Sequence, residues 1–138
     1  MKLSDFIEKG QVRKASQDVP LAKSLISTAE TDLKFLDGLE IGQNSARKIM
    51  SNYYDVLRSV LEAISAIDGY KIYSHEAFKY FLIEKDEPVI AEKFDRFRRI
   101  RNGINYYGKN ITPEEVKENV NEMIKLIAAL KRKHLQHL

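Results

Sequence analysis

The stretch Ser45–Asp68, SARKIMSNYYDVLRSVLEAISAID, decides the fold. Ile49, Met50, Tyr53, Leu57, Val60, Leu61, Ile64 and Ile67 recur at three- and four-residue spacing. In a helix those positions share one face, whereas a half-buried strand needs strict alternation. The stretch predicts a helix of about 24 residues, roughly 36 Å long at 1.5 Å per residue, stopped by Gly69. Tyr54 and Val56 lie off the stripe, so apolar surface extends to more than one side. That excess predicts a partner surface, and a homodimer is its simplest form.

Turn signals cut the rest of the chain into further helices. A short helix is expected from Ser4, as its cap, to about Gly10, followed by polar loop or frayed helix over Gln11–Asp18. Asp18 caps a second helix with Pro20 in its first turn, and Leu21, Leu25, Ala29, Leu33 and Leu36 share one face before Asp37-Gly38 ends it. Tyr70–Tyr73 is too short to be more than a connector. Ser74 caps a short fourth helix with Phe78, Phe81 and Leu82 facing inward. Asp86-Glu87-Pro88 opens a fifth, with Ile90, Phe94, Phe97 and Ile104 as its stripe and Gly108 at its end. Thr112-Pro113-Glu114-Glu115 is a capping box that opens a sixth. Its stripe is Val116, Val120, Met123, Ile124, Ile127 and Leu130. The expected fold is all-α: an antiparallel bundle of four main helices plus one or two short ones, in a single domain over residues 1–138.

Composition agrees with that class and excludes others. The 138 residues include no cysteine, which removes disulfide scaffolds, zinc–thiolate sites and thiol nucleophiles. Six glycines and three prolines are too few for a many-stranded sandwich or barrel. The start, MKLSDFIEKG, lacks a signal-peptide core, so a cytoplasmic location is expected. Lys plus Arg is 23 and Asp plus Glu is 20. The resulting net charge of +3 says little by itself, because nucleic-acid binding needs clustered phosphate contacts.

The distribution of charge says more. Residues 93–108 read KFDRFRRIRNGINYYG. Arg96, Arg98 and Arg99 fall outside the apolar stripe of the fifth helix and predict a solvated basic face, offset by Glu92 and Asp95. Arg101 falls inside the stripe, between the angular positions of Ile90 and Phe94. A guanidinium there is expensive to bury unless it is paired or faces a groove or interface, which makes it a site candidate. Asn102, Asn105, Tyr106 and Tyr107 follow, with donors, acceptors and stacking faces suited to a phosphate or an unstacked base. Gly103 inside the helix suggests a close approach or the start of the helix end.

These residues carry a family resemblance that covers nearly the whole chain. It rests on Asn52-Tyr53-Tyr54-Asp55-Val56-Leu57-Arg58, Gly69-Tyr70-Lys71, Ser74-His75-Glu76-Ala77 and Arg101-Asn102-Gly103-Ile104-Asn105-Tyr106. The chain resembles the HEPN-domain proteins, helical bundles whose catalytic members cleave RNA. The resemblance implies an arginine and a histidine about five positions later at a dimer interface. It also implies pairing with a minimal nucleotidyltransferase in a toxin–antitoxin-type system. Arg101 matches the motif arginine and Asn102 the polar residue after it. The histidine position holds Tyr106. A phenol with a pKa near 10 stays protonated and donates, where an imidazole would accept a proton near neutrality.

Other candidates are fewer. His75 in the first turn of the fourth helix either packs against the long helix or folds over Arg101. Asp55 and Glu62 lie seven apart on nearly one face, as exposed or partner-facing carboxylates; Asp55, if buried beside Arg58 or Arg101, is an orienting partner for the site. His134 and His137 have no nearby carboxylate in sequence and are read as a loose tail, so no metal and no cofactor is expected.

The tentative site is therefore Arg101, Asn102 and Tyr106, with Arg96, Arg98, Arg99 and Tyr107 as phosphate contacts and Asp55 and His75 as orienting groups. The expected function is a HEPN-like module that binds RNA or nucleotide beside a nucleotidyltransferase partner. A non-enzymatic scaffold subunit and a metal-independent endoribonuclease with an altered motif are the alternatives. Nothing in the sequence points to a membrane.

Overall fold

A computed structural model describes all residues from Met1 to Leu138. The elements, in order, are α1 (Leu3–Glu8), β1 (Val12–Lys14), α2 (Val19–Asp37), α3 (Ala46–Asp68), β2 (Tyr70–Ile72), α4 (Ala77–Glu84), α5 (Pro88–Tyr107) and α6 (Pro113–His134). Four long helices and two short ones form the all-α bundle that the apolar spacing predicts. No helix is long and apolar enough to cross a membrane.

Helix α3 is the axis of the bundle, in contact with α2, α6, α5 and β2. Tyr54 is fully buried and Val56 is 3% exposed, inside the chain's own core. Tyr54 and Val56 are thus spent within the chain's own core and leave no apolar excess on that side of α3. A helix enclosed by several neighbours needs apolar residues around most of its circumference, and one chain supplies all of those neighbours here. The same core takes Phe78, Phe81 and Leu82 from α4, Ile90, Phe94, Phe97 and Ile104 from α5, and Val116, Val120, Met123, Ile127 and Leu130 from α6. Ile124 is exposed and Leu126 buried, at the two opposite edges of the α6 stripe. Leu21 also points outward.

The caps follow local chemistry. Asp18 accepts from the Leu21 N–H at 3.1 Å, and the Thr112 hydroxyl accepts from Glu115 N–H at 3.2 Å in the anticipated capping box. Two expected caps move. Helix α1 begins after Lys2, whose N–H donates to the Asp5 carboxylate at 2.8 Å, so Ser4 lies inside the helix. Helix α4 begins at Ala77; Ser74 offers its backbone carbonyl to the Ala77 N–H at 3.1 Å and makes no side-chain cap. His75 therefore sits in the turn ahead of α4.

A two-stranded ribbon replaces the loop expected within Gln11–Asp18 and the connector at Tyr70–Tyr73. Strands β1 and β2 pair antiparallel with Val12 opposite Ile72 and Lys14 opposite Tyr70. Three residues per strand are too few for an alternation to stand out, and the pairing joins segments far apart in sequence. Gly69 makes it possible: it adopts φ +82°, and a Cβ there would lie 2.8 Å from the Ala15 carbonyl oxygen. That close approach carries the hydrogen bond from Ala15 N–H to the Gly69 carbonyl at 2.8 Å. The C-terminus is also docked rather than loose, with Leu135 buried and Leu138 packed against the core.

Candidate functional site

The site grows from the fully buried Tyr54 in the middle of α3. Phe94 of α5 stacks on its ring, with centroids 5.6 Å apart. The Arg101 guanidinium lies over it at 5.4 Å and over the Tyr106 ring at 5.5 Å. Arg101 Nη1 donates to the Tyr106 hydroxyl at 3.2 Å, and Nη2 stands 3.9 Å from Asp55 Oδ1. The arginine on the apolar stripe is thus held mainly by aromatic faces, with a long ion pair at one edge. Its Nε–H is buried and has no acceptor.

Arg58 joins Arg101 from α3. It lies one turn beyond Tyr54, on the same helix face. It pairs with Glu62, a further turn along, and its Nε–H is likewise buried without an acceptor. The sequence places Tyr54, Arg58 and Glu62 on an i, i+4 ladder. That ladder was the available sign that α3 contributes a second guanidinium, since charged residues on a long helix are otherwise its solvent face.

His75 completes the cluster from the turn before α4. The Tyr54 hydroxyl and His75 Nδ1 are 3.2 Å apart, and the two rings tilt against each other at 5.9 Å. Burial raises the Tyr54 pKa above its usual value, against the pull of Arg101, Arg58 and Arg98, so the phenol stays protonated. His75 is its only hydrogen-bond partner. Tyr54 therefore donates to Nδ1, and the imidazole carries its own proton on Nε2. Burial, then the charges of Arg58 and Arg101, lower the His75 pKa, opposed by Asp55. Of the two arrangements open in the sequence, His75 takes the first, packed against Tyr54 of α3, where the charges of Arg58 and Arg101 reach it.

The other arginines of α5 are less free than a solvated basic face. Asp95 is 2% exposed and binds Arg98 Nη2 at 2.9 Å and Arg99 Nη2 at 2.5 Å. Arg96 pairs with Glu122 of α6 and lies over the Phe97 ring. Arg98 is itself largely covered, whereas Arg96 and Arg99 remain exposed. Asp95 is thus a buried anchor for two guanidiniums rather than a surface counter-charge. Asn102 is half-buried and makes none of the site's hydrogen bonds, and Tyr107 is 77% exposed. Asn105 ties α5 to α3 by accepting from the Ser51 hydroxyl at 3.0 Å, while Arg47 donates to the Ile104 carbonyl at 3.3 Å. Lys109 folds over Gly103, and its Cδ would lie 3.1 Å from a Cβ there.

Around Tyr54 stand the guanidiniums of Arg58, Arg98 and Arg101 and the Asp55 carboxylate, with Glu62 and Asp95 pairing Arg58 and Arg98. Two buried N–H groups in this cluster, on Arg58 and Arg101, lack acceptors. No group of three or more His, Asp or Glu is placed to hold a metal ion, and His134 faces Glu87 at 3.5 Å. The chain matches no family model, no curated protein and no solved structure.

Proposed function

We propose that this chain is a HEPN-like module that binds the phosphates of RNA or of a nucleotide at Arg101 and Arg58. The observation that carries the reading is the pair of buried, acceptorless Nε–H groups on two neighbouring guanidiniums. An incoming phosphate supplies the missing acceptors. Tyr106, 67% exposed with its hydroxyl on Arg101, adds a donor and a stacking face at the mouth of the site. In this reading Tyr106 binds and does not act as a base. The resemblance extends the proposal to a homodimer that brings two Arg101 clusters together and to a nucleotidyltransferase partner in a toxin–antitoxin-type system.

The test is RNA binding by purified wild-type protein and by Arg101→Ala, with sedimentation run in parallel. Binding that depends on Arg101 supports the reading, and equal binding by both proteins removes Arg101 from it. A purely structural interaction subunit is the second reading. It is favoured by the exposed aromatics Phe35, Tyr106 and Tyr107 and predicts self-association without any affinity for RNA.

A further inference from the structure

Beside the arginine cluster is a separate recess of about 260 Å³ between α2 and α3, lined by Asp32, Phe35, Leu36, Asn52 and Asp55. Two i, i+3 pairs build it. Asp32 and Phe35 project from one face of α2, and Asn52 and Asp55 from the facing side of α3. Leu36, 3% exposed, is the floor. Phe35 is 66% exposed, a large apolar ring left in water at the rim. Asp32 and Asn52 are exposed and make no side-chain hydrogen bond or ion pair within the chain, and Asp55 has only its long contact to Arg101. The recess is smaller than pockets for drug-sized ligands, which start near about 300 Å³, and an aromatic face with unspent hydrogen-bonding groups suits one unstacked base.

The geometry points to a nucleobase subsite specific for guanine, in which the base stacks on Phe35 while its Watson–Crick edge meets Asn52 and the Asp32 carboxylate. This inference rests on the proposed phosphate site, because Asp55 borders both the recess and Arg101 and so places a base next to a bound phosphate. The choice of base follows from donor and acceptor order. Guanine presents O6 as an acceptor beside two donors, N1–H and N2–H. The Asn52 amide donates to the first, and one carboxylate accepts from the other two. Adenine and cytosine each set a ring-nitrogen lone pair against that carboxylate, and uracil offers it a single donor flanked by carbonyls. A mismatch of this kind leaves acceptors facing each other and is disfavoured.

The experiment uses the full-length chain and 2′-O-methyl oligouridylates, fluorescein-labelled, that carry one guanosine, adenosine, cytidine or no replacement. Fluorescence anisotropy reads the affinities. The expected result is about tenfold tighter binding of the guanosine probe than of plain oligouridylate, as for one good two-bond contact. Asp32→Asn, a substitution at an exposed position, is expected to bring that ratio close to one. Phe35→Leu is expected to weaken binding of the guanosine probe severalfold by removing the stacking face. Equal affinity for all probes, with Arg101→Ala still abolishing binding, would overturn the guanine subsite and leave the phosphate site standing. Failure to bind any probe would overturn both. A guanosine preference that survives Asp32→Asn would overturn the assigned contact. A Phe35→Leu variant that no longer self-associates, with no change in base preference, would mark the recess as a protein contact and overturn the proposal.

Discussion

The Tyr54 hydroxyl and His75 Nδ1 lie 3.2 Å apart, and a fully buried phenol with no other partner donates there, which leaves the imidazole proton on Nε2. A buried phenol on α3 thus sets the tautomer of a histidine in a different segment, and burial, then Arg58 and Arg101, favour the neutral form of that histidine. Protonating His75 would turn Nδ1 into a donor facing a donor, beside the charges of Arg58 and Arg101.

A pH dependence follows. Unfolded, His75 titrates near its ordinary value of about 6.5; folded, burial and then Arg58 and Arg101 lower it. Between the two values the unfolded chain binds more protons, so stability rises with pH across that window. The contribution is complete above about pH 6.5 and is lost as pH falls from there toward the folded value. His75→Gln keeps an acceptor for Tyr54 and should flatten this part of the curve of Tm against pH. NMR titration of the His75 ring should give a midpoint below 6.5.

RNA binding should depend steeply on salt. Removing one basic side chain that touches a phosphate reduces the slope of log affinity against log salt by about 1. Arg101→Ala and Arg58→Ala should each reduce it by that amount, measured by anisotropy over a salt series. Arg101→Lys should not restore wild-type affinity, because an ammonium cannot lie flat between the Tyr54 and Tyr106 rings and still fork to a phosphate. Full affinity in the lysine variant would contradict the geometry assigned to this guanidinium.

Asp95→Asn should lower stability by about 1–3 kcal/mol, read from urea unfolding. The loss stays below that of a fully enclosed ion pair because Arg99 reaches water and only Arg98 is largely covered. A neutral change would show that the two arginines find other partners at no cost.

Gly69→Ala should be more damaging than its size suggests. A left-handed backbone costs an L-residue about 1–2 kcal/mol, and the new Cβ would press on the Ala15 carbonyl. The ribbon should open, with loss of amide protection at Ala15 and Tyr73, whose N–H groups donate to the Gly69 and Gln11 carbonyls. A variant with unchanged melting and exchange would refute the account of this turn.

The helices were legible in the sequence because each carries its own evidence. Asp18, Thr112 and Gly108 mark ends through local chemistry, and the stripes of α5 and α6 repeat often enough to set a phase. Arg101 stood out by the same logic, as a charge in an apolar phase. What stayed hidden depends on partners distant in sequence. Tyr54 and Val56 looked surplus because a single helix does not announce how many neighbours surround it. Asp95 looked like a surface counter-charge, and only packing shows that it lies beneath the chain's surface and holds two arginines. The β1–β2 pairing rests on Gly69 and a three-residue match that no periodicity reveals. His75 needed the turn before α4 to be placed against Tyr54.

The central position of α3 has a consequence for motion. Tyr54, Asp55 and Arg58 sit on a helix enclosed by neighbours, so exposing their backbone amides requires opening the whole bundle. Their hydrogen exchange should be among the slowest in the chain and should track global unfolding. Tyr106 and Tyr107 lie in the last turn of α5, exposed and followed by the left-handed Gly108. That turn can fray locally at little free-energy cost. The half of the cluster built on α3 is therefore a fixed anvil, and movement within the cluster falls to the α5 end, where Tyr106 holds Arg101 through an exposed hydrogen bond.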